Sequence, residues 1–202
     1  MGVRKRCPCR KRAIAKLRRA VTSIRSYLRH SRSSQADTDE IDGGRREVTD
    51  THAPKVIRSR EVTSFFCLFS TVTYVDAPEI PPAGVYHLEA NIRGDGVSGR
   101  LRFRPRNASG TDTAFSADRG FLDVLAGVIE RYGLARFNGT HVTVSGLPDM
   151  YGAELHVCYA SGESISASDN QDCFLPPAAL SELVRAFTGR AGITTFEQSK
   201  GV

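Results

Sequence analysis

The sequence predicts an α+β domain, a mainly antiparallel sheet covered on one face by two helices, preceded by a basic amphipathic N-terminal helix. Three observations carry this. Several segments between residues 64 and 167 are β-branched or alternate apolar with polar, and short Gly- and Asp-rich links favour antiparallel pairing between them. Two other stretches, near 119–132 and after 176, space their apolar residues as a helix does. Charge is divided unequally: residues 1–33 hold twelve Lys/Arg and no Asp/Glu, leaving 16 basic against 22 acidic residues, a balance of −6, in the rest. The chain's net +6 therefore belongs to its first segment, which points to a polyanion for the tail and not for the domain.

The organisation read from this is a basic helical segment over 1–33, a flexible polar linker over 34–53, a globular domain over 54–190 and a tail over 191–202. In residues 13–30, Ile14, Leu17, Val21, Ile24 and Leu28 recur at spacings of three and four, an apolar stripe on a cationic helix. Residues 31–52 show no periodicity, so they read as linker.

The domain opens with a strand over 64–74 and a Pro-rich connection over 76–84. Strands over 85–93 and 97–106 follow, joined at Gly94-Asp95-Gly96. In the second, Leu101 and Phe103 alternate with Arg100, Arg102 and Arg104, one face buried and one wet. Residues 109–117 read as a loop. A helix over 119–132 follows, with Asp118 as N-cap and Gly133 beyond its end. A short strand at 141–146 comes next, then a hairpin of 153–159 with 164–167 across Ser161-Gly162. Pro176-Pro177 opens a last helix that Gly189 ends. Leu125, Ile129, Leu183 and Phe187 are expected core positions of the two helices.

Five Cys, at 7, 9, 67, 158 and 173, make no disulfide framework and fit a reducing compartment. Cys67 and Cys158 read as small core residues. No apolar stretch follows the basic N-terminus as a secretory signal requires, and the run 65–75 is too short to span a bilayer. Arg6 stands where a myristoylation signal wants Ser or Thr. The expected location is cytoplasmic, peripheral to the membrane if the basic helix lies on lipid.

Three groups of residues carry chemistry in principle. His156 and Cys158 are two apart on a strand and share a face, with His141 on a neighbouring strand, so a metal site or a Cys-His pair is conceivable. The plainer reading turns Leu155, Val157 and Tyr159 to the core and His156 and Cys158 to the other side. Cys7-Pro8-Cys9 is a lone C-x-C without a partner pair. Ser164, Ser166 and Ser168 alternate with Ile165 and Ala167 before Asp169 and Asp172, the pattern of an edge strand's solvent face. A nucleophilic serine wants a sharp elbow or an adjacent base, and neither stands in the sequence. The chain carries no P-loop, GxGxxG, HExxH or paired-carboxylate signature.

The stretch YASGESISASDN resembles a Y-A-D-G-T-x-I-x-A-S-G-x-N pattern of small domains from Gram-positive and related gut bacteria. YGLARFNG, like their Y-x-L-x-x-W-N-G, and a Pro-led final helix with an L-x-x-L-x-x-x-F run agree with it. Phe137 stands for the usual Trp, and Ser161 and Glu163 for Asp and Thr. The likeness covers about 56–190 and implies a fold unit and a bacterial source, with no established activity.

The function expected is a non-enzymatic binding or interaction module, with no catalytic residue, cofactor, metal or small-molecule substrate assigned. Its N-terminal helix either packs within the protein or meets an anionic membrane surface or nucleic acid. Arg4, Lys5, Arg6, Arg10, Lys11, Arg12, Lys16, Arg18, Arg19, Arg25 and Arg29 would make the polyanion contacts. Self-association or a protein partner is the remaining option. The alternatives are an enzyme using a surface near His141, His156 and Asp169, or a nucleic-acid-associated protein acting through the basic tail.

Overall fold

The computed structural model describes residues 44–72, 80–106, 109–146 and 151–193. In chain order the elements are β1 (Arg45–Thr49), β2 (Val62–Ser70), β3 (Gly84–Arg93), β4 (Gly96–Pro105), β5 (Thr111–Ala117) and α1 (Gly120–Arg131). A 3-10 turn (Leu134–Phe137), β6 (Thr140–Val144), β7 (Ala153–Tyr159), β8 (Ser164–Asp169) and α2 (Pro177–Ala191) complete it. The eight strands form one mixed sheet in the order β1-β6-β8-β7-β2-β3-β4-β5. Among the described strands only β6 and β8 run parallel; every other pair is antiparallel.

Period-two alternation decides which side of the sheet is dry. Phe65, Cys67 and Phe69 of β2 are buried on one face with Tyr86, Leu88 and Ala90 of β3 and Leu101 and Phe103 of β4. Leu155 and Val157 of β7 and Ile165 of β8 join them. Both helices close this face. Leu125 and Ile129 of α1 and Leu183 and Phe187 of α2, the four expected core positions, are all buried. The Phe187 ring stands 6.0 Å from Phe65, 5.8 Å from Phe115 and 5.1 Å from Phe121, so it bridges sheet and helix layers. Tyr86 is buried between Phe69 and Phe103, and its hydroxyl donates to the Pro82 carbonyl at 2.8 Å. That bond satisfies the one polar atom that burial would otherwise strand.

Several sequence expectations change. The 34–53 linker contains a strand: β1 pairs with β6 from Arg45↔Val144 to Thr49↔Thr140. Its five side chains are all exposed, so main-chain pairing makes it and no apolar period announces it. Residues 109–117, expected as a loop, form β5 over 111–117. Thr111, Thr113 and Phe115 alternate with small exposed partners, too weak a contrast to mark a strand. The serine strand β8 is not an edge, since β6 and β7 flank it. Asp118 does not cap α1 with its side chain, which lies 3.6 Å from Arg190 instead. Gly133, at φ 59°, does sit left-handed just past that helix. Gly189 does not end α2, which runs to Ala191 before the left-handed Gly192. The basic helix and the C-terminal tail beyond 193 lie outside the described residues.

Candidate functional site

The helices leave the second face of the sheet uncovered among the described residues, and the histidines of interest stand there. On β7, Leu155 and Val157 point to the core while Glu154, His156 and Cys158 point outward. Cys158 is thus exposed, not a core residue, whereas Cys67 is fully buried. Burial pushes the Cys67 thiol up, and with Cys173 and Glu154 adding repulsion it stays protonated.

Strand register sets these side chains in rows. One row runs His141, Ser168, Glu154, Leu68, His87, Arg102, Asp112 across β6, β8, β7, β2, β3, β4 and β5. The next runs Ser166, His156, Phe66, Glu89, Arg100, Ala114. His156 Nε2 lies 2.7 Å from Glu154 Oε1, and its Nδ1 lies 3.1 Å from Ser166 Oγ. The tautomer that donates to Glu154 leaves Nδ1 to accept from the Ser166 hydroxyl. His141 forms a separate pair with Ser168 at 2.9 Å. Phe66 stands between two imidazoles, 5.0 Å from His87 and 5.8 Å from His156. Burial, and then the Arg102 charge, lower the His87 pKa. Arg100 grips Asp112 with two bonds, 2.7 and 2.6 Å, and Arg102 reaches it at 3.2 Å. The Arg100 bonds hold the Asp112 carboxyl below its usual range.

The sequence-predicted group is only partly assembled. His156 and Ser166 meet, but His141 belongs to another pair with β8 between it and β7. Asp169 accepts the backbone N–H groups of Gln171 and Asp172 at 2.9 Å each, which shapes the turn after β8. Asn170 bonds both the N–H and the C=O of Val144, extending the ladder with its side chain. Among the described residues no three His, Cys, Asp or Glu side chains converge to hold a metal ion. Glu154, Phe66 and His87 complete the outward surface and were missed. They stand opposite the expected residues only through pairing between distant segments.

The Glu154–His156–Ser166 chain has the order of an acid, a base and a hydroxyl. An acyl-transfer site also needs donors aimed at a developing oxyanion. The Ser166 N–H instead donates to Asn138 Oδ1 at 2.8 Å, and its C=O accepts from Gly139. A cleft of about 600 Å³ lies elsewhere, between Ile80, Pro81, Pro82 and α2 residues such as Glu182 and Arg185. None of the histidines lines it.

The hairpin turn of the resemblance motif has its own task. Glu163 accepts the N–H groups of Arg58 and Ser59 at 3.0 Å each and the Ser161 hydroxyl at 2.8 Å. These bonds, the Arg58 amide first, hold its carboxyl below the usual value of 4.5. A bond from Tyr132 does the same for Glu182. A depressed folded pKa gives stability that is present above the unfolded value and lost as pH falls through the folded one. His87, lowered from 6.5, acts in the same direction over a higher window. The thermal midpoint should therefore begin to decline below pH 6.5 and fall further below pH 4.5. Glu163→Gln should melt lower at pH 7 and lose less on going to pH 3; an acid loss equal to that of the parent protein would contradict this.

Comparison with protein-family models, curated proteins and solved structures finds no match to the chain. Arg4 through Arg29, the expected polyanion contacts, lie outside the described residues. Among the described residues no helix is long and apolar enough to cross a membrane.

Proposed function

We propose that this protein is a non-enzymatic binding module of the bacterial type that YASGESISASDN resembles, tethered to a polyanion by its basic first segment. The observation that carries the reading is the uncovered sheet face. It is broad, and its polar groups bond one another across strands, as in Glu154–His156–Ser166 and Arg100–Asp112–Arg102. Such a surface recognises by contact; it offers no enclosed site from which water is expelled for chemistry. The Ser166 chain is the observation favouring an enzyme, and the occupied Ser166 amide weighs against that reading.

The tether reading rests on charge. Twelve cations in 33 residues with no acidic neighbour create a strong local potential. Counterion release then makes binding fall steeply with salt. The full chain should bind duplex DNA and anionic vesicles at low salt and lose both as salt rises. Replacing Arg10, Lys11, Arg12, Arg18 and Arg19 with Gln should remove most of the affinity and leave the melting midpoint unchanged. Replacing Leu17 and Ile24 with Ser separates the targets: vesicle binding collapses if the apolar stripe enters lipid, while phosphate contacts persist. No binding to either target at low salt would sink the tether.

A further inference from the structure

The sheet has two edges, and they are built differently. An unpaired edge offers a row of N–H and C=O groups to any passing strand, and proteins blunt such edges with charge and short length. β1 is blunted: five exposed residues that include Arg45, Arg46 and Glu47. β5 is not. Its seven residues, TDTAFSA, contain no Pro, Lys or Arg. The one charged side chain, Asp112, lies on the open face and is drawn along it to Arg100 and Arg102 of β4, away from the edge. Thr111, Thr113 and Phe115 are good strand formers. Among the described residues β5 pairs with β4 alone.

The edge is also held rigid. A Cβ on Gly99 would lie 2.2 Å from the Phe115 ring, so that ring lies directly over the glycine of the neighbouring strand. From there Phe115 meets Phe121 at 5.4 Å and Phe187 at 5.8 Å, edge to face. An aromatic laid over a strand glycine pins the register of β5 on β4.

We infer that β5 is the docking edge for a second copy of this chain, joined β5 to β5 about a two-fold axis through Ala114. Antiparallel neighbours share a face, so this register keeps both helix layers on one side and pairs all seven residues. Thr113 then faces Phe115 of the other copy, a β-branched residue against an aromatic on the helix side. On the uncovered side Ala114 meets Ala114, and Asp112 meets Ser116. No like charges oppose each other anywhere in the register, and no side chain larger than alanine stands on the axis. The inference does not rest on the proposed tether or on the open face as a binding surface.

The test is the mass in solution of the full chain, by light scattering across about a hundred-fold range of concentration. The expected value at the upper end is twice the 22.1 kDa chain mass, falling toward 22.1 kDa on dilution. Ala114→Lys sets two ammonium groups against each other on the axis and should weaken association at least about ten-fold while leaving the melting midpoint of the dilute, monomeric chain unchanged. Ala114→Glu should do the same with the opposite sign, and stands in if the lysine variant folds poorly. Ser116→Lys places its charge opposite Asp112 of the other copy and should leave the dimer intact. A mass of 22.1 kDa throughout overturns the inference. So does a dimer that survives both Ala114 variants, or one that Ser116→Lys breaks as fully as they do.

Discussion

Phe187→Ala should destabilise the domain by about 3 to 5 kcal/mol, the range for emptying a fully buried aromatic site. The ring is fully buried and touches Phe65 on the sheet, Phe115 on the edge strand and Phe121 on α1. Its loss opens a cavity between the sheet and the two helices, and close packing limits how far the surroundings can relax into it. The melting midpoint should fall by about 10 °C or more. A fall equivalent to less than about 1 kcal/mol would mean that the layers repack freely and that Phe187 is not central.

Gly152→Ala is expected to cost about 3 kcal/mol or more, beyond the usual range for overpacking, because the obstacle is main chain. An added Cβ would lie 1.8 Å from the Asp169 carbonyl oxygen and 2.7 Å from Asn170 main-chain atoms. A side chain in the way swings aside, but here β7 and β8 must separate where Ala153 pairs with Asp169. The Gly152 carbonyl also accepts the Ser70 N–H at 3.0 Å, so relief in the other direction breaks the join to β2. Gly127→Ala is the matched control. It adds a methyl to an α1 position with nothing within 4 Å, and helix propensity favours the change by up to about 1 kcal/mol. Urea midpoints of the two variants should move in opposite directions; equal behaviour would show that β7 and β8 are not in such close contact.

Period did most of the work in reading the fold. Leu101 and Phe103 against three arginines, and the helical stripes of Leu125, Ile129, Leu183 and Phe187, named the dry face before any contact was known. The elements that escaped lack that contrast. β1 buries nothing, and in β5 the half-buried Thr113 is no more apolar than the exposed Ala114 beside it, so hydropathy does not alternate cleanly with burial. Both are edges, held by hydrogen bonds to one neighbour, and such bonds leave no mark on composition. The candidate surface was legible to the same extent. His156 could be placed on the outward side of its strand, but Glu154, Ser166 and Phe66 join it through register between segments far apart in sequence. Asp169 looks like an active-site residue on paper because carboxylates serve turns and chemistry alike.

The sheet order has a consequence for the chain as it is made. β2 to β5 form a meander whose partners follow each other closely, and β7 with β8 is a hairpin. Between these two blocks the sheet closes through β2 and β7, where Val62 opposes Tyr159. Closing so long a loop carries an entropic cost that the local pairs within each block do not, so this join is expected to form after them. During synthesis from the N-terminus, the Phe65–Phe69 edge of β2 leaves the ribosome long before its partner exists. FFCLF, apolar, uncharged and β-prone, must wait unpaired on that side until β7 has emerged. The interval between those two strands is when a nascent copy of this protein is most exposed to a chaperone or to aggregation.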